Sequence, residues 1–493
     1  GSETLAGRVH EFDALGLRDQ THAVLRVPGC PACGRPAHRA AQPSLEELVD
    51  PGSPPGDVLG AARSLVSPSC GVVTALEPLP KDPSEPERPY LYGARLANHR
   101  FVQDPPSDDG ICSGKGLTHA EARATALGEA VERYSAACLP AGDVRYATRR
   151  ELGARSLDPT DLVLYLPEQY ARLPYAPYSD ATTLGWVSAR SLVTGSSLLV
   201  PALAVGMGYS PRTPQEYLCS TTSNGLAAGP TLADAILSAL YEVLERDAFL
   251  ITWMNRLPAR RVAPETHPDP AVVGIHHAHA RRGVELRLYW LATDQPCPVF
   301  LCIALQADGG DGPAAVAGLG ADLDPARAAS KAIVEAGQVR PGLRIQLREP
   351  GSRARMERLI ADPREVRTMD DHALLYAHPS RAEAFAFLDG GSQAAGDWSP
   401  SPVASTADRL RFLAGRFREQ GDDILYCNLT SADMAELGLH TARVIVPGFQ
   451  PIHFGWDEAR LGGRRLYELP HRLGLTAAPT SPQELNPDPH PLA

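Results

Sequence analysis

Residues 113–136 read SGKGLTHAEARATALGEAVERYSA, and two later stretches repeat their layout: SNGLAAGPTLADAILSALYEVLERDA at 223–248 and GLGADLDPARAASKAIVEAGQVR at 318–340. Self-similarity of this kind is the first guide to architecture. Each stretch has a glycine-containing turn, a helix-start residue, a helical run and then a polar pair. The helix-start residues are Thr118, Thr231 and Asp324. Their side-chain oxygens can accept from the free amides of a first helical turn. Thr118 with Glu121 and Thr231 with Asp234 resemble capping boxes, and Pro325 suits the first helical position.

Counting forward gives the chemistry. Glu129, Glu242 and Glu335 each stand eleven positions after their cap, and Glu132, Glu245 and Gln338 fourteen after it. Polar residues three apart share one face of a helix. The other face is small or branched, as in Ala122, Ala126 and Ala130, or Ile236, Ala239 and Val243. A single E-x-x-E on a helix is ordinarily a solvated face. Two E-x-x-E-R copies, ending at Arg133 and Arg246, with a third helix at the same offset, point instead to convergence on one ligand. Carboxylates among small apolar residues are expected to be partly buried, and buried like charges are costly unless paired or bound to cations. Four carboxylates and two arginines suit Mg²⁺ and a polyphosphate, the metal on hard oxygens and the phosphates in guanidinium forks. The glycine turns SGKG (113–116) and SNGLAAG (223–229) precede helix starts, where exposed amides favour anions. No Walker sequence is present.

The rest of the chain fills in a class. Apolar or β-branched runs at 196–202, 284–291, 297–304 and 442–446 alternate with helical patterns, which predicts an α/β domain. Proline and glycine cluster at 42–57, 79–89, 390–402 and from 478 onward. They suggest a small N-terminal module over 1–90 and a large domain over 91–493. Of 493 residues, 43% are hydrophobic and 21% charged, so a sizeable core is expected. A net charge of −11 argues against a general nucleic-acid binder. Nine scattered cysteines suit a reduced, cytoplasmic protein. The N-terminal stretch shows no secretory signal, and Gly1-Ser2 resembles an expression scar. The most apolar stretch, 197–207, contains Pro201 and is shorter than the roughly 20 residues that span a bilayer, so no membrane role is expected. CPACG (30–34) is half a zinc knuckle; Cys70 and His38 are the nearest further donors, no second pair occurs, and Zn²⁺ is not expected.

GKGLTHAEARATALGEAVER, SNGLAAG followed by EVLERDA, and KAIVEAGQVR resemble the three signature blocks of the YcaO family. VIVPGFQPIHFG (444–455) and NPDPHPLA (486–493) resemble its azoline-forming branch. The resemblance implies an α/β ATP-binding fold of mixed sheets and helices, with neither kinase nor P-loop architecture. It implies an ATP- and Mg²⁺-dependent cyclodehydratase that turns Cys, Ser or Thr of a ribosomally made precursor peptide into azolines. Carried over by position, Glu129, Glu132, Glu242 and Glu245 would hold Mg²⁺. Lys115, Thr125, Ser223, Asn224, Arg246, Glu335, Gln338 and Arg340 would complete the ATP site; many relatives have Ser at the place of Thr125. Pro487, Pro489 and Pro491 form the P-x-P-x-P that azoline-forming members direct into the active site, and proline pre-stiffens such a tail. A separate leader-peptide-binding partner and a homodimer are further implications. Thioamide or amidine formation is the alternative within the family, and a non-catalytic peptide-binding scaffold the alternative outside it.

Overall fold

Thr118, Thr231 and Asp324 are N-caps, as their side chains require. The helices that follow span His119–Ala137, Leu232–Met254 and Pro325–Gln346. Thr118 accepts from the Glu121 amide while Glu121 returns a bond to the cap backbone, Thr231 accepts from the Asp234 amide, and Asp324 accepts from Ala326 and Arg327. The computed structural model describes residues 7–26, 28, 42–49, 56–97, 110–139, 141–307 and 312–492.

The segment ahead of the first helix differs from expectation. SGKG lies inside a strand, Ile111–Gly116, not in a turn. Its glycines serve close packing: a β-carbon on Gly114 would run into the Ala126 amide and the Ala122 carbonyl. Gly318, in the strand Ala315–Ala321, meets Ala336 and Ala332 of the third helix in the same way. Glycine on the strand and alanines on the helix face are thus one packing device used twice. Only the second copy keeps a true turn, with Gly225 at φ +80° leading into the strand Leu226–Gly229.

Each of these strands is the edge of a different sheet. Ile111–Gly116 closes an antiparallel sheet with Tyr90–Leu96 and Val73–Pro78. Leu226–Gly229 is the outer strand of a six-stranded sheet, beside His440–Ile445 and then Leu425–Asn428. Ala315–Ala321 is the outer strand of a five-stranded sheet, beside Val299–Gln306 and Val284–Leu291. The first helix also packs on the strand of the second unit, the second on that of the third, and the third on that of the first. Three strand–helix units therefore close into a ring, with their repeated polar positions turned to one centre.

The boundary expected near residue 90 falls between two paired strands, since Val73–Pro78 runs antiparallel to Tyr90–Leu96. The proline-rich 79–89 stretch is their connection. It is fastened to the third helix by buried Glu85, which meets Arg340 at 3.3 Å and Arg344 at 3.1 Å. The proline-rich C-terminal segment is likewise folded down: Asn486, His490 and Leu492 are buried. Among the described residues no helix is long and apolar enough to cross a membrane. Cys30, Cys33 and His38, the elements of the zinc question, lie outside the described residues; Cys70 is a free thiol.

Candidate active site

The carboxylates eleven residues into each helix share one job. Glu129 accepts from the Ser113 amide at 2.9 Å, Glu242 from Gly225 at 3.2 Å, and Glu335 from Leu319 at 3.1 Å. Each glutamate ties its helix to the strand or turn before it by a charge-assisted bond. That bond engages one carboxylate oxygen and fixes where the next turn of helix points.

On that next turn stand Glu132, Glu245 and Gln338. Gln338 donates to the Ser113 hydroxyl at 2.7 Å, bridging the third unit to the first. The charged pair is held less tightly: Glu132 lies 3.8 Å from Arg133, and Glu245 3.6 Å from Arg246. Arg133 also meets Glu129 at 3.4 Å, Arg246 meets Glu335 at 3.8 Å, and Lys115 meets Glu335 at 3.5 Å. These separations exceed the roughly 2.7–2.9 Å of a good charge-assisted bond. The cluster is gathered but not locked.

Its electrostatics are those of a site short of positive charge. Burial pushes Glu132 up to about 8; Arg133 opposes this, while Glu242 and Glu129 add to it. Burial likewise carries Glu245 to about 7 against the pull of Arg246, and raises Glu242. Glu335 is the exception, because Lys115 and Arg246 outweigh its burial and hold it below the usual carboxylate range. A further cation, Arg443, faces Glu242 and Glu132 from the strand His440–Ile445. Burial brings its guanidinium down to about 10, and its donors go to the Ala204 and Thr222 carbonyls at 2.8 Å each.

The expected residues are not all brought together. Lys115, Glu129, Glu132, Glu242, Glu245, Arg246, Glu335 and Gln338 meet as described. Asn224 sits beside Arg443, with a buried side-chain oxygen that has no hydrogen-bond partner, and Ser223 precedes it in the same turn. Thr125 donates to the Lys115 carbonyl at 2.9 Å, so its hydroxyl hydrogen joins helix to strand. Arg340 is turned away. It bonds the Pro313 carbonyl at 3.1 Å and pairs with Glu85, because two residues beyond Gln338 the helix has rotated by about 200°. Arg133, Ser113 and Arg443 belong to the cluster as well; the first two fall within noted motifs, E-x-x-E-R and SGKG, whereas Arg443 falls in none. Arg443 had a signal of its own, a lone charge in the apolar strand HTARVI.

Among the described residues no three His, Cys, Asp or Glu side chains are grouped so as to hold a metal ion by themselves. That suits Mg²⁺, which is usually held by one or two carboxylates together with phosphates and waters. Glu132, Glu242 and Glu245, whose carboxyls burial raises, with half-buried Glu129 beside them, have the hard oxygen donors that such an ion takes.

The C-terminal segment is fastened by aromatic side chains. Trp253 donates to the Asp488 carbonyl at 3.0 Å, Trp456 to the Pro487 carbonyl at 2.9 Å, and Tyr376 to the Pro489 carbonyl. Pro489 and Pro491 are buried and Pro487 is exposed. The His490 ring stacks on His372 with centroids 4.1 Å apart and stands 4.8 Å from His453. Burial holds all three imidazoles in the neutral form, and Arg246 contributes at His490.

A family model described as YcaO cyclodehydratase, ATP- and Mg²⁺-binding, matches residues 113–450. The chain belongs to the YcaO family. An uncharacterised protein of Methanothermobacter thermautotrophicus is 29% identical over 379 residues, covering 73% of this chain and 87% of that one. Among solved structures, a heterocyclase in complex with substrate and cofactor superposes with TM-score 0.78 at 25% identity, over 100% of this chain and 65% of that chain. The heterocyclase TruD gives 0.68 at 23% identity, over 100% and 62%. YcaO from Methanopyrus kandleri, bound with AMPPCP and Mg²⁺, gives 0.54 at 20% identity, over 77% and 86%. This chain therefore spans about two thirds of the two heterocyclase chains, at 65% and 62% of their lengths.

Proposed function

We propose that this YcaO protein uses ATP and Mg²⁺ to close Cys, Ser or Thr residues of a ribosomally made precursor peptide into thiazolines or oxazolines. The observation that carries the reading is the ring of three units, which turns five glutamates and four cationic side chains to one centre. In the reaction, the peptide side chain adds to the preceding amide carbon. The resulting oxyanion takes the γ-phosphoryl group of ATP, and phosphate then leaves with the former amide oxygen. Amide oxygen is a poor leaving group until phosphorylated, so the protein supplies chiefly position and charge.

Bound Mg²⁺ neutralises the polyphosphate and its developing charge. Glu129, Glu132, Glu242 and Glu245 would hold it; Lys115 and Arg246 would meet phosphate oxygens; Ser223, Asn224 and Gln338 would line the nucleotide. Pro487, Pro489 and Pro491 hold the tail beside the centre, where it limits water. A separate leader-binding protein would present the precursor. The fold's capacity for both ligands is supported by the heterocyclase held with substrate and cofactor.

Mass spectrometry of a precursor peptide treated with protein, partner, ATP and Mg²⁺ separates the readings. Loss of one water per ring supports azoline formation. Exchange of oxygen for sulfur would move the protein to thioamide chemistry. Peptide bound but unaltered, with no ATP consumed, would leave a scaffold.

A further inference from the structure

Beside Arg443 lies a second space, with both apolar and polar walls. It is a cavity of about 70 Å³ bordered by Arg443, Arg460, Asn224, Ser220, Thr221 and Asp161. A single water needs roughly 10–15 Å³ measured in this way, so the cavity has room for about five to seven water-sized centres, enough for a small oxyanion.

Two of its wall residues are buried arginines that bond backbone carbonyls. Arg443 and Arg460 are 5% and 6% exposed. Among the described residues neither forms an ion pair. Arg443 bonds the Ala204 and Thr222 carbonyls, and Arg460 bonds the Leu162 and Ser220 carbonyls at 3.3 and 2.6 Å. Nη1 of Arg443, Nε of Arg460, Oγ of Ser220 and Oδ1 of Asn224 are buried without hydrogen-bond partners. Two buried guanidiniums on one cavity are costly unless an anion is shared between them. Among the described residues Asp161 is the one carboxyl on the wall, and it stands at the exposed rim. Arg443 also faces Glu242 and Glu132, which places the cavity next to the site of phosphoryl transfer. Asp161 and Phe449 are shared with the wall of an open groove of about 710 Å³, the short path to solvent.

We propose that this cavity is an orthophosphate site, which receives the phosphate released by the reaction while ADP still occupies the carboxylate side. The idea rests on the proposed function for its source of phosphate, but the binding itself needs no turnover. Phosphate carries the oxygens that the unpartnered donors of the two arginines require.

The test is calorimetric titration of inorganic phosphate into the full chain, with and without saturating Mg²⁺-ADP. Saturable binding is expected in both conditions. Arg460→Lys, which keeps charge but loses the fork, should weaken it about tenfold or more while Mg²⁺-ADP affinity stays within about twofold. Arg460 also braces the Leu162 and Ser220 carbonyls, so Ser220→Asp provides a second variant. It adds an anion to the wall, removes no existing hydrogen bond of the hydroxyl, and should abolish phosphate binding in a protein whose melting temperature is retained. Phosphate that fails to bind, binds only when ADP is absent, or binds both variants as tightly as wild type overturns the proposal. A Glu129→Gln variant that still consumes ATP would overturn the catalytic reading instead and leave the phosphate titration standing.

Discussion

Replacing Glu132 by glutamine should make the metal-free protein more stable at alkaline pH while removing its activity. The Glu132 carboxyl is raised from 4.5 to about 8, with burial the main cause. A carboxyl that is a weaker acid folded than unfolded makes the folded state the better proton binder. Stability from this group is therefore greatest below about pH 4.5 and is lost as pH rises through 8. At about 1.4 kcal/mol per pH unit, the loss above pH 8 is at most about 5 kcal/mol. The side chain keeps 14% exposure, and relaxation around it brings the figure nearer about 2 kcal/mol. Glutamine fills the same space without the charge, and Arg133 retains Glu129 at 3.4 Å. Thermal melts in chelator at pH 6 and pH 8.5 provide the assay. Wild type should lose stability between them, Glu132→Gln should lose less, and the variant should melt a few degrees higher at pH 8.5. Adding Mg²⁺-ATP should raise the wild-type transition and leave the variant nearly unchanged, since ligand binding to the folded state stabilises by mass action. A variant less stable than wild type at pH 8.5 without metal would refute the reasoning, because it would show Glu132 to be a satisfied structural anion.

Gly114→Val should cost about 3 kcal/mol or more and lower ATP affinity, because its side chain would force the first helix from its strand; urea unfolding and nucleotide titration measure both. Glu85→Gln should cost about 3–5 kcal/mol in urea unfolding by removing the carboxylate shared by buried Arg340 and Arg344, with little change in nucleotide affinity. Deleting residues 487–493 should block ring formation, read by mass spectrometry, while nucleotide affinity changes by less than about threefold; unaffected product yield would remove the tail from the account.

The helix starts were legible because capping is local: Thr118, Thr231 and Asp324 each need only their own first turn. The shared offset of the glutamates was legible for the same reason, since eleven and fourteen residues along a helix fix a direction. What the offset could not show was that Glu129, Glu242 and Glu335 would each spend an oxygen on a strand amide, which depends on the strand's position in space. SGKG was read as a turn because glycine permits turns; here it permits contact with alanines on the first helix. Arg340 was misplaced for want of one rotation, with Glu85, 255 residues earlier in the chain, deciding where it points. Arg443 escaped because Glu132 and Glu242, which it faces, lie 311 and 201 residues earlier in the chain. The proline-rich stretches misled in one direction, since composition marks irregular backbone but not whether that backbone is packed. Both 79–89 and the C-terminal segment proved to be fastened down.

Mn²⁺ in place of Mg²⁺, with a non-hydrolysable ATP analogue, allows anomalous diffraction to locate the metal directly. Mn²⁺ peaks are expected between the phosphates and carboxylate oxygens of Glu129 or Glu132 on one helix and Glu242 or Glu245 on another. Nucleotide bound elsewhere, or bound here with no peak against these glutamates, would contradict the metal assignment.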